Sequence, residues 1–202
     1  MTRNTFIEAA EHGNLDNMKW LYSINCQFDE KTFCEAARNG NLENMKWLKS
    51  VNCPFDVETF NVAVEIGNLE NIKWLYSNDF PYDNNVFCYA VKNGNLENLK
   101  WLLSVYSSGR NFGYINFSVF REAIYCGNTQ VLDWLLENKF PYSNDIFTIA
   151  FSNLEFKIMK WILANNLKVK YEVSISYDYF SNLYVRTKRY KIKSEILMWL
   201  SQ

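Results

Sequence analysis

Catalysis in this chain would have to be built around a single imidazole. His12 is the only histidine in 202 residues, so a Ser-His-Asp or Cys-His pair needs it and a specific spatial partner, which no motif signals. It stands one residue before Gly13, a position that suits a helix end on the surface. Five cysteines, Cys26, Cys34, Cys53, Cys88 and Cys126, are the other candidates, as nucleophiles or ligands of a soft metal. They form no CxxC pair and leave one over, which reads as reduced thiols in a cytosolic or nuclear compartment. Cys26 and Cys53 occupy matching places in successive segments. Packed helices lie about 8–10 Å apart, whereas zinc ligands sit about 2.3 Å from the metal, so those two thiols should not share an ion. The phosphate-loop, dinucleotide-fingerprint and HExxH patterns are absent. The carboxylates Asp16, Glu43, Glu70 and Glu97 recur at one register, where they favour the positive end of a helix. The expectation is therefore a protein without catalytic residues, metal or cofactor.

Charge points to chemistry only at one end. The chain carries a net charge of −1, which predicts no general attraction to nucleic acid or membrane. It is unevenly spread: residues 1–165 sum to −5 and residues 166–202 to +4. The run "RTKRYKIK" concentrates Arg186, Lys188, Arg189, Lys191 and Lys193. A solvated polar cap explains it; a nucleic-acid contact, import signal or acidic-partner site is the alternative. No run of about 18 apolar residues would span a membrane, and "MTRNTFIEAAEHGN" has no apolar signal-peptide core.

The elements that must position any of these residues are repeated. "GNLENMKWL" at 40–48 recurs as "GNLDNMKWL" at 13–21, "GNLENIKWL" at 67–75 and "GNLENLKWL" at 94–102. Phe6, Phe33, Phe60, Phe87, Phe120 and Phe147 are separated by 27 residues, except for one interval of 33. An alanine follows each after three residues and a tryptophan after fourteen: Trp20, Trp47, Trp74, Trp101, Trp134 and Trp161. Thr2, Asp29, Asp56, Asp83, Asn116 and Ser143 stand four residues before each phenylalanine, as N-cap types. A first helix, A, should run from there to Gly13, Gly40, Gly67, Gly94 or Gly127, where glycine takes a left-handed C-cap. The asparagine after each glycine can cap a second helix, B, carrying Leu15, Met18 and Leu21 or their equivalents on one face. The tryptophan sits on the flank of that face, where a neighbouring copy would touch it. One copy cannot bury these residues alone, so copies must stack. Connectors such as "NCPFD" should end helix B at the proline. Their aromatic should tuck under the next helix A.

"TFCEAARNGNLENMKWL" at 32–48 resembles the ankyrin helix–turn–helix: an apolar first-helix residue, paired small residues Ala36 and Ala37, the turn Gly40, and Leu-Glu-x-x-Lys-apolar-Leu. The likeness spans about residues 2–167. It departs in period, since an ankyrin unit has about 33 residues, and the shortfall falls after helix B, where ankyrins place a β-hairpin finger. In that respect the chain resembles the divergent ankyrin-like arrays of giant DNA viruses of amoebae. The expected architecture is one all-α, ankyrin-like solenoid of stacked helix–turn–helix repeats over 1–202. Short connectors replace most fingers. The repeats fall at about 2–28, 29–55, 56–82, 83–115, 116–142 and 143–169, and residues 170–202 form a cap.

What the resemblance implies is a monomeric, intracellular scaffold or adaptor that binds a protein partner, a host protein if the chain is viral. Ankyrins contact partners along the concave helix A face. The variable pairs before the turn glycine map there: Glu11 and His12, Arg38 and Asn39, Glu65 and Ile66, Lys92 and Asn93, then Tyr125 with Arg121 beside it. Aromatic and arginine side chains are enriched at binding hot spots. The longer interval holds "VYSSGRNFGYIN" at 105–116, a tolerated insertion or a restored finger whose contacts would be Arg110, Phe112 and Tyr114.

Overall fold

The computed structural model describes residues 3–108, 115–153 and 155–168, and among them the regular secondary structure is entirely α-helical. Contacts divide the chain into two compact units, Met1–Pro141 and Tyr142–Gln202. The first holds five helical pairs: α1 (Arg3–Glu11) with α2 (Leu15–Ser23), α3 (Glu30–Asn39) with α4 (Leu42–Ser50), α5 (Val57–Ile66) with α6 (Leu69–Ser77), α7 (Val86–Asn93) with α8 (Leu96–Ser107), and α9 (Ser118–Tyr125) with α10 (Thr129–Glu137). The second holds α11 (Ile146–Ser152) packed on α12 (Phe156–Ala164). The cap expected at 170–202 lies outside the described residues.

The turn between paired helices follows from two residues. Gly13, Gly40, Gly67, Gly94 and Gly127 have φ between +65° and +87°, a region that costs a residue with a Cβ. The next residue, Asn14, Asn41, Asn68, Asn95 or Asn128, places its side-chain oxygen on one or two of the first free amides of helix B. In the sixth copy Glu155 stands at the cap position with no side-chain bond.

Helix A starts as expected in two copies. Asp29 and Thr32 form a reciprocal capping box, and Asp56 accepts from the Glu58 amide. In three copies the helix starts later, behind Asn85, Phe117 and Asp145. Asp83 accepts from the Asn85 amide at 2.7 Å and Asn116 from the Ser118 amide at 2.8 Å, each closing a local turn that competes with the first helical turn. Ser143 also precedes its helix by a turn, and Thr2 lies outside the described residues.

Proline does not end helix B. A left-handed residue does: Asn25, Asn52, Asp79, Lys139 and Asn166 have φ of +51° to +58°. Around each, the amide of the following residue reaches back five positions. Examples are Cys53 to the Leu48 carbonyl at 2.9 Å and Phe140 to Leu135 at 3.0 Å. This is the Schellman arrangement, and its apolar residue after the left-handed one packs inward. Cys26, Cys53, Phe80 and Phe140 fill that place and are buried. Two of the cysteines are thus small core side chains.

In the first unit helices A form a row, α1 on α3, α3 on α5, α5 on α7 and α7 on α9. Phe6, Phe33, Phe60, Phe87 and Phe120 are buried along it. The connector aromatics turn back instead of forward. Phe28 packs edge-on to Phe6, Phe55 to Phe33, and Tyr82 lies tilted 5.2 Å from Phe60. Each therefore covers the phenylalanine of its own copy, because the chain after the left-handed residue runs back along the hairpin it has just left.

The tryptophans join successive copies. Trp47 stacks on Phe6 and stands edge-on to Tyr22, both of the preceding copy. Trp101 stands edge-on to Tyr76 at 5.4 Å. At the Trp74 joint the matching preceding residue is Lys49, whose ammonium lies 5.9 Å from the indole centroid and donates to Asn78 Oδ1 at 2.8 Å. One rule covers all three: the side chain two places after one copy's tryptophan meets the next copy's indole.

Candidate functional site

Stacking consumes one face of every helix A; the residues just before the turn glycine are left at its end. Glu11, Arg38, Lys92 and Tyr125 are exposed there and Glu65 is half-buried, one per copy across α1, α3, α5, α7 and α9. Their charges alternate along the row, negative, positive, negative, positive, before the aromatic. Arg38 is paired with Glu35 at 3.1 Å within its own helix. Lys92 holds its ammonium 5.5 Å from the Tyr89 ring. Burial pushes the Tyr89 hydroxyl pKa up, helped by Asp83 and Glu58, so it stays a neutral donor at physiological pH. Arg121 and Tyr125 are four apart on α9, hence on one face; Tyr125 is 49% exposed.

The second member of each pair behaves differently. Ile66 is 43% exposed. His12 is exposed, with Nδ1 2.8 Å from its own helix's Glu8 carbonyl. Asn39 and Asn93 are engaged: their amides donate to the Glu11 and Ile66 carbonyls of the preceding copy, each at 3.0 Å. Those two side chains tie helix ends together, a task that sequence variation at the position concealed. Arg110, Phe112 and Tyr114, and the basic run from Arg186 to Lys193, lie outside the described residues.

Two exposed apolar side chains at the opposite, N-terminal ends of helices A escaped the sequence reading. Val57 opens α5 and Phe117 precedes α9, and both are exposed. Other copies put Arg3, Glu30, Asn84 and Asn144 at that register, so an apolar residue at a polar position was the available signal.

A buried asparagine set also went unread. Asn71 donates to the Gly40 carbonyl and Asn98 to the Gly67 carbonyl, both at 2.7 Å. The third and fourth copies thus reach back to the preceding turn. Asn44, in the same place, is fully buried, yet neither amide atom has a hydrogen-bond partner.

The thiols are poorly suited to attack. All five cysteines are free. Burial, with Glu35 adding, pushes Cys34 up to about 11, and burial with Asp29 pushes Cys53 up to about 12. Burial also raises Cys88, against a contact to the Ser118 hydroxyl at 3.1 Å that lowers it, and raises the exposed Cys126. Since the thiolate is the nucleophile and the metal ligand, these groups are held in the unreactive form at neutral pH. Cys34 does line a shallow groove of about 260 Å³ with Glu30, Asp56 and Glu58. Among the described residues no group of three or more His, Cys, Asp or Glu side chains is placed to hold a metal ion, and no helix is long and apolar enough to cross a membrane.

No protein-family model matches this chain, and no curated protein matches its sequence.

Proposed function

We propose that the chain is a non-catalytic, ankyrin-like interaction scaffold that binds a protein partner through the free ends of its helices A. The observation that carries this reading is the row Glu11, Arg38, Glu65, Lys92 and Tyr125, with Ile66 and Arg121 beside it. These side chains vary from copy to copy beside a turn glycine whose left-handed conformation recurs in all five. A rigid row with interchangeable side chains suits recognition, because pre-organised elements lower the entropic cost of binding.

The test is a purified binder obtained by co-purification with the full-length chain. Its affinity should fall at least about tenfold, about 1.4 kcal/mol, for the Lys92→Glu/Tyr125→Ala double variant, with the thermal midpoint unmoved. Unchanged affinity would remove helix A from the contact. A second reading rests on the cations from Arg186 to Lys193: association with nucleic acid. It requires binding that persists in 150 mM salt and is lost when those five charges are neutralised.

A further inference from the structure

The chain contains two Asn-Gly steps, Asn39-Gly40 and Asn93-Gly94, and they fall on the two side chains that tie the ends of helices A together. An asparagine loses its side-chain amide most readily before glycine, which has no Cβ to obstruct its own nitrogen. In that reaction the glycine nitrogen attacks the asparagine Cγ and a C–N bond forms. The side-chain nitrogen leaves as ammonia, and water opens the resulting succinimide to aspartate or isoaspartate. The folded chain holds each participant away from this path. Asn39 and Asn93 are the last residues of α3 and α7, and a helical ψ directs the next nitrogen along the helix instead of towards the side chain. That nitrogen donates one turn back, Gly40 to the Ala36 carbonyl at 3.2 Å and Gly94 to Ala90 at 3.0 Å. The amides that would leave donate to the Glu11 and Ile66 carbonyls, each at 3.0 Å. Asn93 Oδ1 also accepts from the Asn95 amide at 3.2 Å. Both side chains lie over the turn of the preceding copy, in the space that a Cβ on Gly13 or Gly67 would need.

We propose that Asn39 and Asn93 are sites of spontaneous deamidation gated by the joints they make, each recording the opening of its own joint and then preventing the same closure. With the joint shut, the electrophile is pinned to the copy behind and the nucleophile is engaged inside its helix. When α3 parts from α1, or α7 from α5, the side chain is released and the last helical turn is free to unwind, so the glycine nitrogen and Cγ can meet. Asn39 is exposed and Asn93 half-buried, so water reaches the ring. The product cannot restore the tie. An ionised carboxylate accepts hydrogen bonds and donates none, and it would face the Glu11 or Ile66 carbonyl as acceptor against acceptor. Isoaspartate also inserts an extra main-chain atom immediately before a left-handed glycine. The turns at Gly13, Gly67 and Gly127 follow His12, Ile66 and Cys126 and carry no such site. The chemistry concerns how copies stay joined and does not depend on what the row of helix A ends binds.

The experiment incubates the full chain at mildly alkaline pH, folded and in urea, and follows the peptides that contain Asn39 and Asn93 by mass spectrometry. Enzymatic methylation identifies isoaspartate. Both sites should react at least about tenfold more slowly in the folded chain, since reaction there waits on local opening. Two variants each loosen one joint. Tyr22→Ala removes the ring against Trp47, at the joint that Asn39 ties, and Tyr76→Ala removes the ring against Trp101, at the joint that Asn93 ties. Neither tyrosine is fully buried, and circular dichroism checks that both variants stay helical. Tyr22→Ala should speed the reaction at Asn39 and leave Asn93 at the parental rate; Tyr76→Ala should do the reverse. As a mimic of the product, Asn39→Asp should lower the urea midpoint, whereas Asn41→Asp, at a cap that aspartate fills as well as asparagine, should not. Folded-state rates equal to those in urea, or both sites accelerating together in either variant, would overturn the gating. A midpoint for Asn39→Asp equal to that of the parent would overturn the claim that the product alters the joint.

Discussion

Replacing Asn71 by leucine should cost stability, whereas replacing Asn44 by leucine should not. The two residues occupy the same place in successive copies, and both are buried. Asn71→Leu removes a 2.7 Å bond to the Gly40 carbonyl. A net bond is worth about 1 kcal/mol, and an orphaned partner costs about 1–3 kcal/mol more. Gly40 is only half-buried, so water recovers part of that, and relief of the unpaired Asn71 Oδ1 offsets some of the rest. The expected loss is about 1–2 kcal/mol. Asn44→Leu breaks no side-chain bond, because neither amide atom has a partner. It replaces an unsatisfied buried amide with an apolar group of similar size, which is neutral or stabilising by about 1–2 kcal/mol. The fold already accepts such a side chain, for Val131 and Ile158 stand there in the fifth and sixth copies, both buried. Urea unfolding followed by circular dichroism reads the difference. With a slope of about 1–3 kcal/mol per molar, the two midpoints should separate by at least about 0.3 M. Equal destabilisation by both substitutions would refute the view that the amide acts through the preceding turn's carbonyl.

Other substitutions test other joints. Gly67→Ala should cost more than Gly40→Ala: both hold a left-handed backbone, about 1–2 kcal/mol for a residue with a Cβ. Only at Gly67 would the new Cβ run into the Asn93 amide, while at Gly40 the nearest atom is Asn71 Nδ2 at an ordinary 3.7 Å; chemical unfolding compares them. Lys49→Tyr should leave the thermal midpoint nearly unchanged, since tyrosine makes the matching contact from Tyr22 and Tyr76, whereas Lys49→Glu should lower stability by about 1 kcal/mol or more through loss of the cation–ring contact. Stability should also fall as pH rises above 9. Cys34 and Cys53 have an ordinary value of 9.0 and folded values of about 11 and about 12. From pH 9 upward the unfolded thiols lose protons that the folded ones keep, at about 1.4 kcal/mol per pH unit for each thiol, until the folded values are reached. Urea midpoints from pH 8 to 11 should decline less steeply for Cys53→Ala than for the parent.

The helical hairpins were legible because glycine followed by asparagine states two backbone requirements at once, a left-handed residue and a cap. The end of helix B was not. Its left-handed position is filled by Asn25, Asn52, Asp79 and then Lys139, and lysine carries no preference that would mark it. The prolines two residues later drew attention to the wrong cause. The asparagine fourth after four of the turn glycines went unread because a polar residue beside Glu43 or Glu70 carries no mark of burial; only the neighbouring copy's carbonyl shows why Asn71 is inside. At Asn39 and Asn93 the sequence did not reveal the bond that ties each side chain to a carbonyl of the copy behind, since that partner is distant in the chain. The exposed row of Arg38, Lys92 and Tyr125 was legible, since its register relative to the glycine is fixed by helical pitch.

The joints at Trp74 and Trp101 are each made of two halves that one copy carries at its opposite sides: an indole and an amide behind, a tyrosine or lysine and a turn carbonyl in front. A tandem duplication of the gene spanning residues 56–82, which carry both halves, would therefore reproduce a working junction without a compensating mutation. Such an array can lengthen or shorten in a single recombination event, and the newly inserted copy is then free to diverge at the positions that face outward.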